Sequence, residues 1–169
     1  MRLAVIADTH IPTRARDLPP GAWRVIDATD GVLHAGDVVD SALLERLRER
    51  GPLWAVLGNN DHALRGVLPE RLELELGGVP VAMVHDAGAA AGRRARMRRW
   101  FPGARVAVFG HSHVPVVEDD GGLLLLNPGS PTDRRRMPAF TLAVLTLEAG
   151  RAAAELVDLG QERATSPTR

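Results

Sequence analysis

The sequence predicts an α/β fold in which two β-sheets stack face to face and helices flank them. Three observations lead there. The first half of the chain alternates strand-like and helix-like segments; the second half is a run of short strands separated by Gly-rich turns; and polar clusters directly follow most of the apolar runs. Alternation of strands with helical segments implies βαβ units and parallel pairing, whereas closely spaced strands imply hairpins. The 169 residues suit one domain, taken as 1–160 with a polar tail at 161–169 that is expected to fray.

Leu3 to Ala7 is a continuous apolar run with Val and Ile, the pattern of a buried parallel strand. Pro19 to Ala28 predicts a helix with proline in its first turn. Gly31 to Ala35 is a second strand, ending at Gly36-Asp37. Asp40 or Ser41 caps a helix over Ala42 to Arg50, which Gly51 closes. Leu53 to Leu57 is a third strand. Arg71 to Leu76 alternates charged and apolar residues, and Gly77-Gly78 joins it to Val79–Val84, which predicts an antiparallel hairpin. Ala89 to Trp100 is Ala/Arg-rich and reads as helix. Arg105–Phe109, Val114–Glu118, Leu123–Leu126, Phe140–Thr146 and Ala152–Val157 read as strands, with turns at Asp120-Gly121-Gly122 and Glu148-Ala149-Gly150.

In open α/β sheets, ligands bind beyond the carboxyl ends of the strands. Asp8, Asp37, Asn59, His85 and His111 all fall there on this reading. Asp8 and His10, two apart at a strand end, point the same way and can grip one ion, although a solvated strand terminus gives the same pattern. Asp37 follows Gly36 and has two oxygens with which to bridge two ions; it equally suits the turn into the next helix. His34 lies inside an apolar run, which favours packing over ligation. Gly58-Asn59-Asn60-Asp61 offers an amide oxygen, and is also ordinary turn chemistry. Gly110-His111-Ser112-His113 is the most informative cluster. The chain has only six histidines, and four of them stand at positions 10, 85, 111 and 113, where polar clusters follow strands.

Composition removes several classes. With no cysteine, disulfides and thiolate metal sites are excluded, so any metal rests on His, Asp, Asn or Glu, a set suited to Mn, Fe, Ni or Zn. All 21 basic residues are arginine, which excludes lysine chemistry, and they balance 21 acids. That balance and an aromatic share of 4% argue against dedicated nucleic-acid binding. The apolar start is too short for a signal peptide, and no stretch is long enough to span a membrane, so the expected location is the cytoplasm. Edge strands in the second half make a homodimer or higher homo-oligomer an expectation.

The ordered motifs Asp8-Thr9-His10, Gly36-Asp37, Gly58-Asn59-Asn60-Asp61, His85 and Gly110-His111-Ser112-His113 together resemble the calcineurin-like metallophosphoesterase superfamily. Asn127-Pro128-Gly129-Ser130 resembles its small single-domain bacterial and archaeal phosphodiesterases. The resemblance implies a four-layer α/β/β/α sandwich with a dinuclear metal site. It assigns one metal to Asp8, His10, Asp37 and His113, and the other to Asp37, Asn59, His85 and His111. Manganese is the first expectation for both ions. It further implies hydrolysis of small phosphate esters, chiefly diesters, by a hydroxide bridging the metals, with Asp37, Asn60, Asp61 and His85 as the catalytic set. Many members carry histidine where Asn60 stands, and His62 is the nearby substitute. Asp86 stands where glycine is frequent. A phosphomonoesterase or nuclease, and a non-catalytic interaction scaffold on the same fold, are the competing expectations. The arginines at 93–99 are read either as anion-attracting groups or as a solvated face, and those at 134–136, which follow the Asn127–Ser130 motif, as candidates for the mouth of the pocket.

Overall fold

Successive residues of the first strand, β1 (Arg2–Ile6), enter two different hydrophobic cores, as the period of two in a strand requires. Leu3 and Val5 face a second sheet, while Ala4 and Ile6 face helices. The computed structural model describes residues 1–161 and contains the further elements α1 (Pro20–Asp27), β2 (Gly31–His34), α2 (Ser41–Arg48), β3 (Leu53–Ala55), a 3-10 turn (His62–Leu64), β4 (Arg71–Leu76) and β5 (Val79–Val84). These are followed by α3 (Arg93–Trp100), β6 (Val106–Val108), β7 (Val116–Asp119), β8 (Leu124–Asn127), β9 (Thr141–Glu148) and β10 (Arg151–Asp158). The expected tail at 161–169 lies, apart from Gln161, outside the described residues.

One sheet has strand order β10-β9-β1-β2-β3 and the other β4-β5-β6-β8-β7. In the first, β1, β2 and β3 are parallel, and β9 runs antiparallel to β1 with Leu3 opposite Leu145. In the second, β5, β6 and β8 are parallel, flanked by antiparallel β4 and β7. The central core lies between the sheets, where Leu3, Val5, Leu33 and Leu145 meet Val81, Met83, Val108 and Leu126. A second core packs Ala22 and Ile26 of α1 and Leu43, Leu44 and Leu47 of α2 onto the outer face of the first sheet. A third packs Met97 of α3 and Phe101 onto Ala107, Phe109 and Leu125. The layers are therefore α/β/β/α, as expected.

Local chemistry accounts for the boundaries. The Asp40 side chain accepts a hydrogen bond from the Ala42 amide, which makes Asp40 the N-cap of α2. Gly77 and Gly78 both have positive φ, as a two-residue hairpin turn requires. The helix expected from Ala89 begins only at Arg93. Before it the Arg96 guanidinium donates to the carbonyls of Ala87 and Ala89, so those groups are satisfied without helical turns. The strand expected from Val114 starts at Val116, because the Val114 amide turns to the Ser112 hydroxyl and Pro115 has no N–H to offer a neighbour. Among the described residues, no helix is long and apolar enough to cross a membrane.

Candidate metal centre

The carboxyl ends of five strands open onto one edge of the sandwich. Asp8 and His10 follow β1, Asp37 follows β2, Asn59 follows β3, His85 follows β5, and His111 and His113 follow β6. The structure brings all seven together. Their polar atoms fall into two groups that share Asp37. In one, His10 Nε2 lies 3.3 Å from His113 Nε2 and 3.6 Å from Asp37 Oδ2, and His113 Nε2 lies 3.5 Å from Asp8 Oδ1. In the other, His85 Nε2 lies 3.4 Å from Asp37 Oδ2 and 3.0 Å from Asn59 Oδ1, which is also 2.9 Å from His111 Nδ1.

The backbone is bent to make this possible. Asp8, His10, Asp37, His111 and His113 all have φ between 46° and 66°, the left-handed region. Such conformations cost about 1 kcal/mol or more each for residues with a side chain and concentrate at functional sites. Gly58 shows how tight the approach is: a Cβ there would stand 2.1 Å from the Asp37 amide nitrogen and 2.2 Å from its Oδ1.

Neighbouring groups fix the imidazoles. His85 Nδ1 donates to the Ala35 carbonyl at 2.8 Å, and His113 Nδ1 donates to the Asp133 carbonyl. In each case the Nε2 lone pair is left facing the cleft, the tautomer a metal needs. Burial pushes His113 down to about 4 and lowers His10, so both rings are neutral near pH 7. Burial also lowers His85, but the Asp37 carboxylate outweighs it and the net direction is upward. Burial pushes Asp8 up to about 7 against the pull of His85. Asp37, despite its own burial, is held below the usual carboxylate range by His85 and by two hydrogen bonds from Asn60.

The donor set fits a divalent cation. Asp8 Oδ2 is buried and has no hydrogen-bond partner, although a buried oxygen of this kind needs a proton or a cation. Asp8, His10 and His113 form one set of converging ligand atoms, and Asp8, Asp37 and His85 another. Oxygen and imidazole donors of this kind suit borderline and hard divalent ions.

Most of the residues around these seven side chains hold loops. Asp61 was expected in the catalytic set; its carboxylate accepts from the amides of Asp37 (3.0 Å), Val39 (2.6 Å) and Gly58 (2.7 Å) and is 1% exposed. Asn60 donates to Asp37 from its backbone at 2.8 Å and its side chain at 2.7 Å. His34 is fully buried, is held down to about 3 by that burial, and meets the Thr9 hydroxyl at 3.0 Å. In the Asn127–Ser130 motif, Asn127 Nδ2 donates to the Gly110 carbonyl and the Ser130 hydroxyl to the Asp8 carbonyl, tying the first and last ligand loops together. Thr132, which sequence reasoning did not single out, donates to the Thr9 carbonyl at 2.6 Å. Asp86 accepts from the Gly88 amide and shapes a turn. Three arginines of α3 make contacts within the fold: Arg94 and Arg98 pair with Asp120, and Arg93 lies over the Phe109 ring.

Comparison with known proteins supplies the family. Residues 1–150 match the calcineurin-like phosphoesterase superfamily domain. The chain belongs to this superfamily. A relative named a probable metallophosphoesterase, from Methanocaldococcus jannaschii, is 34% identical over 151 residues, which cover 88% of this chain and 77% of that one. Among solved structures, Vps29 of Chaetomium thermophilum superposes with a TM-score of 0.77 at 19% identity, covering 96% of this chain and all of that one. A structure described as a novel archaeal phosphodiesterase superposes with a TM-score of 0.70 at 20% identity, covering 93% and 100% of the two chains. At these identities the two superpositions establish the shared calcineurin-like fold. The superfamily relationship and the Asp/His cluster together support a metal-dependent phosphoesterase.

Proposed function

We propose that this protein is a phosphodiesterase that hydrolyses small phosphate esters with two divalent ions, manganese first among them. The observation that carries the reading is the complete set of seven side chains, divided into two groups that share the Asp37 carboxylate. Asp8, His10, Asp37 and His113 would hold one ion, and Asp37, Asn59, His85 and His111 the other. When bound, two adjacent divalent ions lower the pKa of a water and polarise the phosphoryl oxygens. The chain's own residues do the rest. Asn60 and Asp61 fix Asp37 in place, and the carbonyls of Ala35 and Asp133 hold the two imidazole tautomers. The fold shared with an archaeal phosphodiesterase is consistent with diester substrates.

The test uses purified protein stripped with a chelator and reloaded with manganese. It should cleave bis-p-nitrophenyl phosphate, and Asp37→Ala and His111→Ala should each lose activity by about a hundredfold or more, the scale of losing one group that stabilises developing charge. A reloaded protein that leaves the diester intact while cleaving p-nitrophenyl phosphate would favour a monoesterase. One that takes up no metal and cleaves neither would favour a scaffold.

A further inference from the structure

Two clefts meet at the metal centre, and their charges differ. Each encloses about 600 Å³. One begins at Asn59 and His85 and is balanced, with Arg65 and Arg71 against Glu70 and Asp86. The other begins at His10 and Asn60 and is lined by Arg14, Arg135, Asp133 and His62. In this second cleft Asp133 is already engaged: its carboxylate lies 3.7 Å from Arg14 Nε and 4.0 Å from His113 Nδ1. Arg135 has no ion pair or hydrogen bond among the described residues. It stands at a turn closed by the Met137 amide donating to the Arg134 carbonyl at 2.8 Å, with a left-handed φ of 48°. Its charge bears on Asp8, His10 and His113 together. A guanidinium lining the cleft beside a centre that suits divalent cations would be repelled by them unless an anion lies between or beside them. Arginine is also the side chain best shaped to grip a planar or tetrahedral oxyanion.

We propose that the Arg135 cleft receives a second anionic group of the substrate, a carboxylate or phosphate carried on the ester substituent beyond the scissile phosphorus. Arg135 is the specificity-determining residue and Arg14 its neighbour. The balanced cleft takes the other substituent. This assignment rests on the phosphodiesterase reading and names the class of diester it acts on.

The experiment uses the manganese-loaded protein and two kinds of matched probe. The first is an aryl phosphodiester whose second substituent ends in a carboxylate, against its methyl ester, with spacers of two to five carbons. The second is a set of carboxyalkylphosphonates against alkylphosphonates of equal length, read by calorimetric binding and independent of hydrolysis. The wild type should favour the carboxylate member by about tenfold in kcat/KM and in affinity at one spacer length, the contribution of one charge-assisted hydrogen bond. Arg135→Gln should bring both ratios to near one. Arg99→Gln, on α3 and outside either cleft, should leave them unchanged. A wild-type ratio near one at every spacer length overturns the proposal. So does an equal loss on both members in Arg135→Gln, which would make Arg135 a ligand of the scissile phosphate itself. If binding shows the preference but neither diester is cleaved, the anion site stands and the phosphodiesterase reading falls.

Discussion

At the scale of single residues, Asp8 concentrates the conflict on which the centre depends. Its carboxylate is buried, one oxygen has no partner, and burial moves its pKa from the usual 3.8 to about 7. A folded-state value above the unfolded one contributes stability at low pH that is lost as pH rises from about 4 through 7. Asp8→Asn removes that titration but keeps an oxygen for the His111 amide, which donates to Oδ1 at 3.1 Å. Without metal, Asp8→Asn should therefore match the wild type near pH 4 and exceed it above pH 7 by on the order of 4 kcal/mol. With metal the order should reverse. Thermal unfolding across pH, with and without chelator, reads both; a difference that is flat with pH in chelator would refute the assignment. Asn60 carries a second expectation. An amide stands at this position, where the family resemblance leads one to expect an imidazole, so nothing here protonates a departing oxygen. Turnover should fall steeply as the leaving-group pKa rises from aryl to alkyl diesters, and Asn60→His should flatten that slope. Residue identity and placement after strands were sufficient to single out the seven Asp, Asn and His side chains that the structure brings to one edge, and the resemblance divided them between two ions. Five left-handed φ values were not legible, since Asp and His adopt either hand and only the assembled loops decide.

At the scale of elements, the ligand loops depend on one another more than on their strands. Asp61, placed after β3, fastens the loop after β2 by accepting from the amides of Asp37 and Val39, while Gly58 lets the two backbones touch. Asp61→Asn would put an amide donor against one of those N–H groups. The expected cost is about 2 kcal/mol of stability, with metal affinity reduced 10- to 100-fold and the residual activity at saturating metal largely retained. Denaturant unfolding and metal titration separate this from a catalytic role, in which kcat would collapse at saturating metal. The family resemblance placed Asp61 in the catalytic set; only the hydrogen-bond pattern reveals that its oxygens accept from backbone amides. Element boundaries missed for a similar reason. The Ala/Arg-rich stretch before α3 has high helix propensity, yet Arg96 satisfies its carbonyls from within the helix and the chain stays irregular until Gly92, whose φ of 69° precedes the first turn.

At the scale of the molecule, the candidate metal centre draws its side chains from both sheets. Asp8, His10, Asp37 and Asn59 follow strands of one, and His85, His111 and His113 follow strands of the other. The two-sheet sandwich was legible from the change of rhythm along the chain. That β5, β6 and β8 would pair in parallel was not, because short apolar strands carry no mark of direction. The span across sheets makes metal binding and sheet packing a linked pair. Saturation at a hundred times Kd should add about 2.7 kcal/mol to the unfolding free energy. The two buried cores should then behave differently. Leu145 lies between the sheets opposite Leu3, and Met97 lies between α3 and the outer face of the second sheet. Truncating either to alanine should cost about 2–5 kcal/mol. Leu145→Ala should also weaken metal binding, because the sheets that carry the two halves of the centre lose their spacing. Met97→Ala should lower stability by a similar amount and leave the metal Kd within about twofold, since distant sites act independently. Equal effects of both variants on metal affinity would mean that general loosening, rather than the register of one sheet on the other, governs the centre.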